Sequence, residues 1–252
     1  VRYIGTTGSD PATAYAAVPA DGEIRAQDKV AIIGAAGPMG LMHTVRTISL
    51  GLPGVVVDAA DVNDERLAHL AEVAGPTAQE RGVPLRVVNS VTTPLEPGYT
   101  YLTCLVPVPG LLVQAVDLAG QGAIVNAFAG FPAGTLAELD LQGIVERGVF
   151  LLGTSGSEMS DMRSLLNKLE TGALDTSISL DAVCGMAGFA DAIEAVNNRT
   201  SGGKIMVYPQ LRDLGLVRLA DLAEQLPAVA AAMTDGRWTP AAEAALLATA
   251  GN

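Results

Sequence analysis

A chain of 252 residues with 27 acids against 15 bases, a formal charge of −12, has no basic patch to displace counterions, which excludes a nucleic-acid surface. It is 49% apolar and only 4% aromatic, the make-up of a tightly layered α/β protein with a sizeable core. No apolar run reaches the roughly 18 residues of a membrane helix, so no membrane partner is expected. Cys104 and Cys184 stand far apart and fit no metal spacing; buried, reduced thiols of a cytoplasmic protein are expected. No charged-then-apolar leader, and so no secretory signal, is visible, and because the chain opens on Val1 rather than Met it is expected to be a fragment of something longer.

The first element is a helix, with Asp10 as N-cap, Pro11 at its first position and the run ATAYAAV behind them. Strand and helix signals then alternate. VAIIG reads as a buried strand, and Pro38 to Leu50 as a helix with Leu41, Val45 and Ile48 on one face. GVVVDAAD is a second strand, and a helix from Asp64 to Val73 is expected to stop at Gly75-Pro76. PLRVVN and TYLTCLV give the third and fourth strands, PGLLVQAVDLA a helix, GAIVNAFAG the fifth strand and GVFLLGTS the sixth. Continuous apolar strands alternating with helices mean a parallel sheet covered on both faces, a doubly wound Rossmann architecture.

From Ser155 the rhythm changes. Ser155 and Glu158 fit a capping box for a helix through Leu169, closed by Gly172. TSISL reads as a short strand, FADAIEAVNN as a helix and GKIMVYP as the last strand; Gln210 to Asn252 is a helical, Ala/Leu-rich tail.

Chemistry concentrates in KVAIIGAAGPMGLMHTV. Gly34, Gly37 and Gly40 form G-x-x-G-x-x-G between a strand and a helix, with acids about 20 residues further on, the context of a dinucleotide turn. Gly37 would let backbone approach a pyrophosphate at the helix N-terminus, and Gly40 would let helix and strand pack closely. A tight turn needing glycine for geometry alone is the competing reading. Asp58 and Asp61 both fall near the end of the second strand, where a carboxylate accepts from the adenosine ribose hydroxyls and repels a 2′-phosphate, favouring NAD. Asp61 is the preferred ligand because DVNDERL places it directly before the next helix; Asp58, with Asp61 as a capping acid, stays open. Arg66 is either a guanidinium that holds a phosphate there or a residue on a solvated helix face. His43 could approach cofactor phosphates, although a plain helix-face histidine is the simpler assignment.

The ordered set AIIGAAGPMG, VVVDAADVNDERL, GQGAIVNAFAG, VFLLGTSG and GGKIMVYP resembles the medium-chain dehydrogenase/reductase family, of the zinc alcohol dehydrogenase type, from Thr6 through Pro209. The resemblance implies a cofactor domain in mid-chain, here 1–155 with its leading helix. It also implies a segment, 156–209, that belongs to an incomplete catalytic domain, with the helical tail 210–252 behind it. It places the diphosphate turn on Ala36, Gly37, Pro38 and Met39 and the ribose acid on Asp61. Val106 would lie near the adenosine side or the middle of the cofactor. Backbone near Asn126, Phe128, Gly153 and Thr154 would meet the nicotinamide carboxamide. One departure is Ala35-Ala36, two residues between the first glycines where many members have one. The tail with DGRWTPAAEAAL is similar to sugar- and polyol-phosphate dehydrogenases such as sorbose-phosphate reductase.

By this resemblance the chain is the cofactor-binding portion of an NAD-dependent dehydrogenase acting on an alcohol, polyol or sugar phosphate. Zinc is expected in the full-length protein through residues absent here, since His43 and His69 cluster with neither cysteine; no catalytic residue is named. The alternatives are a zinc-free NADPH quinone or enoyl reductase of the same superfamily, and a nucleotide-sensing module without chemistry. The resemblance also implies a homo-oligomer paired through the sheet edge, where Phe150, Leu151 and Leu152 are unusually apolar.

Overall fold

The computed structural model describes residues 2–3, 19, 21–153, 158–198 and 200–249. The helix expected after Asp10, and Thr154 and Ser155, lie outside them. Two compact units, Val1–Ala173 and Leu174–Asn252, make up the chain.

The first unit holds β1 (Arg2–Tyr3), β2 (Lys29–Ile33), β3 (Val56–Asp61), β4 (Leu85–Asn89), β5 (Tyr99–Cys104), β6 (Ala119–Ala127) and β7 (Phe150–Gly153). Six of these run parallel in the order β4-β3-β2-β5-β6-β7, the doubly wound Rossmann order. The strand order reverses between β2 and β5, which leaves a crevice at their carboxyl ends. On one face of the sheet Ala31, Ala60, Val88, Leu102 and Val125 pack with Ala115 and Val116 of the helix α3 (Pro109–Leu118). Fully burying each such aliphatic side chain contributes about 1.5–3 kcal/mol, alanine less.

β1 adds antiparallel to β7, pairing Arg2 with Leu152 and Tyr3 with Leu151. The apolar edge strand is therefore occupied by the chain's own N-terminal segment, and pairing of two copies along it would compete with this strand.

Helix α1 (Pro38–Ser49) matches its expected span, whereas α2 (Asp64–Arg81) runs straight past Gly75-Pro76. Proline removes one ladder bond and costs a helix interior roughly 3 kcal/mol. Leu67, Leu70, Ala74 and Ala78 are nevertheless buried along a single face that spans the proline. Tertiary burial on both sides of Pro76 overrides the local stop signal. A short helix missed by periodicity, α4 (Leu141–Arg147), begins where Asp140 accepts from the Gly143 amide at 2.9 Å. The helix α5 (Met159–Glu170) closes this unit; the Glu158 amide donates to Asp161 at 2.9 Å, so the capping box is Glu158 with Asp161 and Glu158 is the N-cap.

In the second unit β8 (Leu180–Cys184) lies between β9 (Lys204–Val207) and β10 (Val217–Arg218). The strand expected over TSISL begins later, because Ser177–Ser179 is a 3-10 turn. Asp175 accepts from both the amide and the hydroxyl of Ser177 (2.9 and 2.6 Å) and bends the chain there. The helix Phe189–Asn197 follows β8 as expected. The tail is only partly helical: β10 comes first, then the helices Leu222–Gln225, Pro227–Ala231 and Pro240–Ala248. Its Leu222, Val229, Trp238 and Leu246 bury with Val183 and Tyr208 to form this unit's core.

Candidate functional site

The glycine turn stands at the switch point of the first unit. Gly34 takes φ +85°, and its amide and that of Ala35 both donate to the Ala60 carbonyl (2.9 and 3.0 Å), tying the turn to the end of β3. A Cβ at Gly34 would stand 2.3 Å from Val106 Cγ2, so the turn presses on the residue that follows β5. At Gly40 a Cβ would meet the carbonyl oxygens of Gly34 and Ala35 at 2.2 and 2.3 Å; α1 approaches the turn so closely that only glycine fits.

Gly37 is the N-cap of α1 in extended conformation and Pro38 opens the helix. The first helical bond is Leu41 N–H to the Gly37 carbonyl, at 2.9 Å. The amides of Gly37, Met39 and Gly40 find no acceptor among the described residues, and the first turn of α1 carries no acid. Among the described residues, and apart from Gly37's own chain neighbours, nothing but the Gly34 carbonyl comes within 4 Å of where a Gly37 Cβ would be, at 3.8 Å. Unpaired donors at the positive end of a helix, with open space before them, fit an anion such as a diphosphate.

Asp61, the last residue of β3, is buried beside this turn. Its Oδ2 accepts from the Ala36 amide at 3.1 Å. Oδ1 accepts from the amides of Val62 (2.8 Å) and Asn63 (3.3 Å) and from Arg66 Nη2 (3.4 Å). Oδ1 is thus fully subscribed, while Oδ2 keeps room for one more donor. The Asn63 side chain caps α2, accepting from the Arg66 amide at 2.9 Å, and this aims the arginine back at Asp61.

Asp58 is placed differently from the expectation that both acids sit near the strand end. It lies in the middle of β3, in register with Ala31 and Arg86. Arg86 clamps it with Nε at 2.8 Å and Nη2 at 2.5 Å, and the Tyr99 hydroxyl donates to the same carboxylate. Burial alone would raise the Asp58 pKa, but the bonds from Arg86 and Tyr99 outweigh it and hold the carboxyl below its usual range. Oδ2 of Asp58 is thus fully subscribed by Arg86 and Tyr99 and Oδ1 is held by Arg86 within the sheet, whereas Asp61 is the acid that bonds the turn.

At the far side of the crevice Asn126 and Gly153 occupy the carboxyl ends of β6 and β7, with Ala127 and Gly153 in register. The amides of Phe128 and Ala129 both donate to the Cys104 carbonyl (3.2 and 3.0 Å), folding the segment after β6 over the end of β5. Asn126 Oδ1 is buried and finds no hydrogen-bond partner among the described residues. The rings of His43 and Phe128 meet edge to face, with centroids 4.5 Å apart. Burial, and secondarily Arg46, lowers the His43 pKa to about 4, so the imidazole is neutral at pH 7 and is no countercharge for phosphate. Its contact with Phe128, and the Ala36–Asp61 bond, left no periodic trace in the sequence; the extra residue in the turn was the one available hint.

Cys104 and Cys184 are buried and unpaired, and among the described residues no three His, Cys, Asp or Glu side chains gather to hold a metal ion. The described residues do not fit zinc. Among the described residues no helix is long and apolar enough to cross a membrane.

No protein-family model matches the chain. It is 26% identical over 211 residues to YggP, an uncharacterized protein of Escherichia coli K12, covering 78% of this chain and 48% of that one. Solved structures align over a similar share of the chain. A short chain alcohol dehydrogenase (RspB) of E. coli CFT073, complexed with NADH, superposes with a TM-score of 0.56 at 20% identity, covering 73% of this chain and 53% of RspB. For 2R,3R-butanediol dehydrogenase of Bacillus subtilis the TM-score is 0.59 at 19% identity, over 74% and 52%. B. subtilis YhfP with NAD bound gives 0.57 at 16% identity, over 74% and 56%. The chain spans about half the length of the relatives it matches. Over roughly three quarters of its residues it has the fold of the medium-chain, zinc-type alcohol dehydrogenases.

Proposed function

We propose that the chain is the NAD-binding portion of an oxidoreductase that moves hydride between nicotinamide and a secondary alcohol, on a polyol or sugar phosphate. The observation that carries this reading is the turn at Gly34–Gly40, where the amides of Gly37, Met39 and Gly40 find no acceptor among the described residues, the Cβ position of Gly37 is open, and the neighbouring Ala36 amide bonds a buried acid. On this reading the amides of Gly37, Met39 and Gly40 receive the diphosphate, with Ala36 and Pro38 shaping the turn. Asp61 and Arg66 meet the adenosine ribose, and Val106 lies against the middle of the cofactor. Asn126, Phe128 and Gly153 lie by the nicotinamide, and Thr154, expected with them, falls outside the described residues. Bound there, NAD supplies the hydride acceptor; the chain's own part is to hold and orient it. The partner molecules are thus a dinucleotide and a small alcohol, and the relation to proteins that carry NADH or NAD supports the choice of cofactor.

The remainder of the active site, including any zinc ligands, would come from residues outside this chain. Two exposed apolar helix faces fit such an addition: Met159, Met162, Leu166 and Leu169 on α5, and Phe189, Ile193 and Val196 on the helix Phe189–Asn197.

Titrating the purified chain with NADH and with NADPH, followed by nicotinamide fluorescence, tests the reading. NADH should bind at least about tenfold tighter, without alcohol turnover by this chain alone. Equal or tighter NADPH binding, or no binding of either, would sink it.

A further inference from the structure

Asp61 does more than face the place of the ribose. Its Oδ2 accepts from Ala36 N–H at 3.1 Å, and Ala36 directly precedes Gly37, the N-cap of the helix whose amides are unpaired. Among the described residues the turn has three backbone anchors before the helix begins. Gly34 and Ala35 hang on the Ala60 carbonyl, and Ala36 hangs on the Asp61 carboxylate. The third is the one tie made to a side chain, and it is the tie closest to the open amides. Two residues between the first glycines put an amide at this position, since Ala35 and Ala36 donate in succession to neighbouring acceptors, Ala60 and Asp61. On its other oxygen Asp61 is fixed by Val62, Asn63 and Arg66, so the carboxylate is an immobile post rather than a swinging side chain.

We infer that Asp61 is a positioning residue for the diphosphate turn as well as the ribose acid, so that one carboxylate couples recognition of the two halves of the adenosine diphosphate moiety. This rests on the dinucleotide reading above. A ribose hydroxyl donating to Oδ2 shares that oxygen with Ala36 N–H, so occupancy of the ribose site is felt directly by the turn. Only one further donor fits on Oδ2, so Asp61 takes a single ribose hydroxyl. A consequence for specificity follows. In a site where the acid serves the ribose alone, removing it lifts the repulsion of a 2′-phosphate and NADPH binding improves. Here removing it also releases the turn, and neither cofactor gains.

The test is Asp61→Ala, with NADH and NADPH binding measured beside amide hydrogen exchange across Gly34–Gly40 in the full chain. The expected result is a loss of at least about tenfold for both cofactors, together with Ala36 exchange at least about tenfold faster than in the parent chain. Unchanged Ala36 exchange, or NADPH binding tighter than in the parent, overturns the inference. Should Asp61→Ala fail to fold, adenosine, which carries the ribose and no phosphate, is titrated into the parent chain. Movement of the Ala36 and Gly37 amide resonances supports the coupling, and their constancy while other resonances saturate overturns it. Absence of any dinucleotide binding by the parent chain removes the functional reading instead, while the exchange measurement still reports on the Ala36–Asp61 tie.

Discussion

Replacing Gly40 by alanine tests the packing on which the whole turn depends. The added methyl would stand 2.2 Å from the Gly34 carbonyl oxygen, 2.3 Å from that of Ala35 and 2.4 Å from the Ala35 carbonyl carbon. Comfortable contacts lie near 3.5–4 Å, so α1 must withdraw by roughly 1 Å. All three obstacles are backbone, and no side chain can rotate out of the way. Overpacking costs about 1–3 kcal/mol, here toward the upper end, offset by up to about 1 kcal/mol of improved helix propensity. The net expectation is about 2 kcal/mol of destabilisation, a fall of roughly 1 M in the urea midpoint at a slope of about 2 kcal/mol/M. Gly37→Ala is the control, because its methyl would meet nothing nearer than 3.8 Å. It should fold within about 0.5 kcal/mol of the parent, yet bind NADH at least about tenfold more weakly by filling the space before the open amides. Far-UV circular dichroism and hydrogen exchange in α1 are the right probes, since the single tryptophan, Trp238, lies in the other unit. An unchanged midpoint for Gly40→Ala, or equal destabilisation by Gly37→Ala, would refute the reasoning.

Two further outcomes follow from the charged groups. His43 stays neutral in the fold down to about pH 4, whereas an unfolded histidine protonates near 6.5. Stability should therefore fall as pH drops from about 6.5 to about 4. His43→Phe should lessen the fall in urea midpoint between about pH 7.5 and about pH 5; an unaltered pH profile counts against a buried neutral imidazole. Asp58 has its pKa lowered by Arg86 and Tyr99 against the effect of burial, so its contribution is present above the unfolded carboxyl value of about 3.9 and is lost as pH falls through the lower folded value. Asp58→Asn should cost about 1–2 kcal/mol near neutrality and progressively less below about pH 4, with NADH affinity kept; a loss of NADH binding at full stability would make Asp58 a ligand after all.

How much of this was legible in the chain depends on the range of the interaction. Strands such as KVAII and the helix Pro38–Ser49 announce themselves because apolar periodicity and glycine or proline punctuation are local, and the parallel sheet follows from their alternation. The G-x-x-G-x-x-G turn was equally readable as a pattern: Gly40 answers to a close approach within a few residues along the chain, while the Val106 side chain that Gly34 must clear lies 72 positions away. The sequence also preferred Asp61 to Asp58 by its place before α2, but only the tertiary structure shows Asp58 clamped by Arg86 and Tyr99. Arg86 and Tyr99 lie 28 and 41 residues away and come from other strands. Helix α2 continues through Pro76 because burial on both sides of the proline outweighs a local rule. The Ala36–Asp61 bond, the His43–Phe128 contact and the cover of β7 by Arg2–Tyr3 join residues 25, 85 and about 150 positions apart. Local propensity acts over one or two turns of chain; what a carboxylate, a ring or a sheet edge finally touches is decided only when distant segments meet.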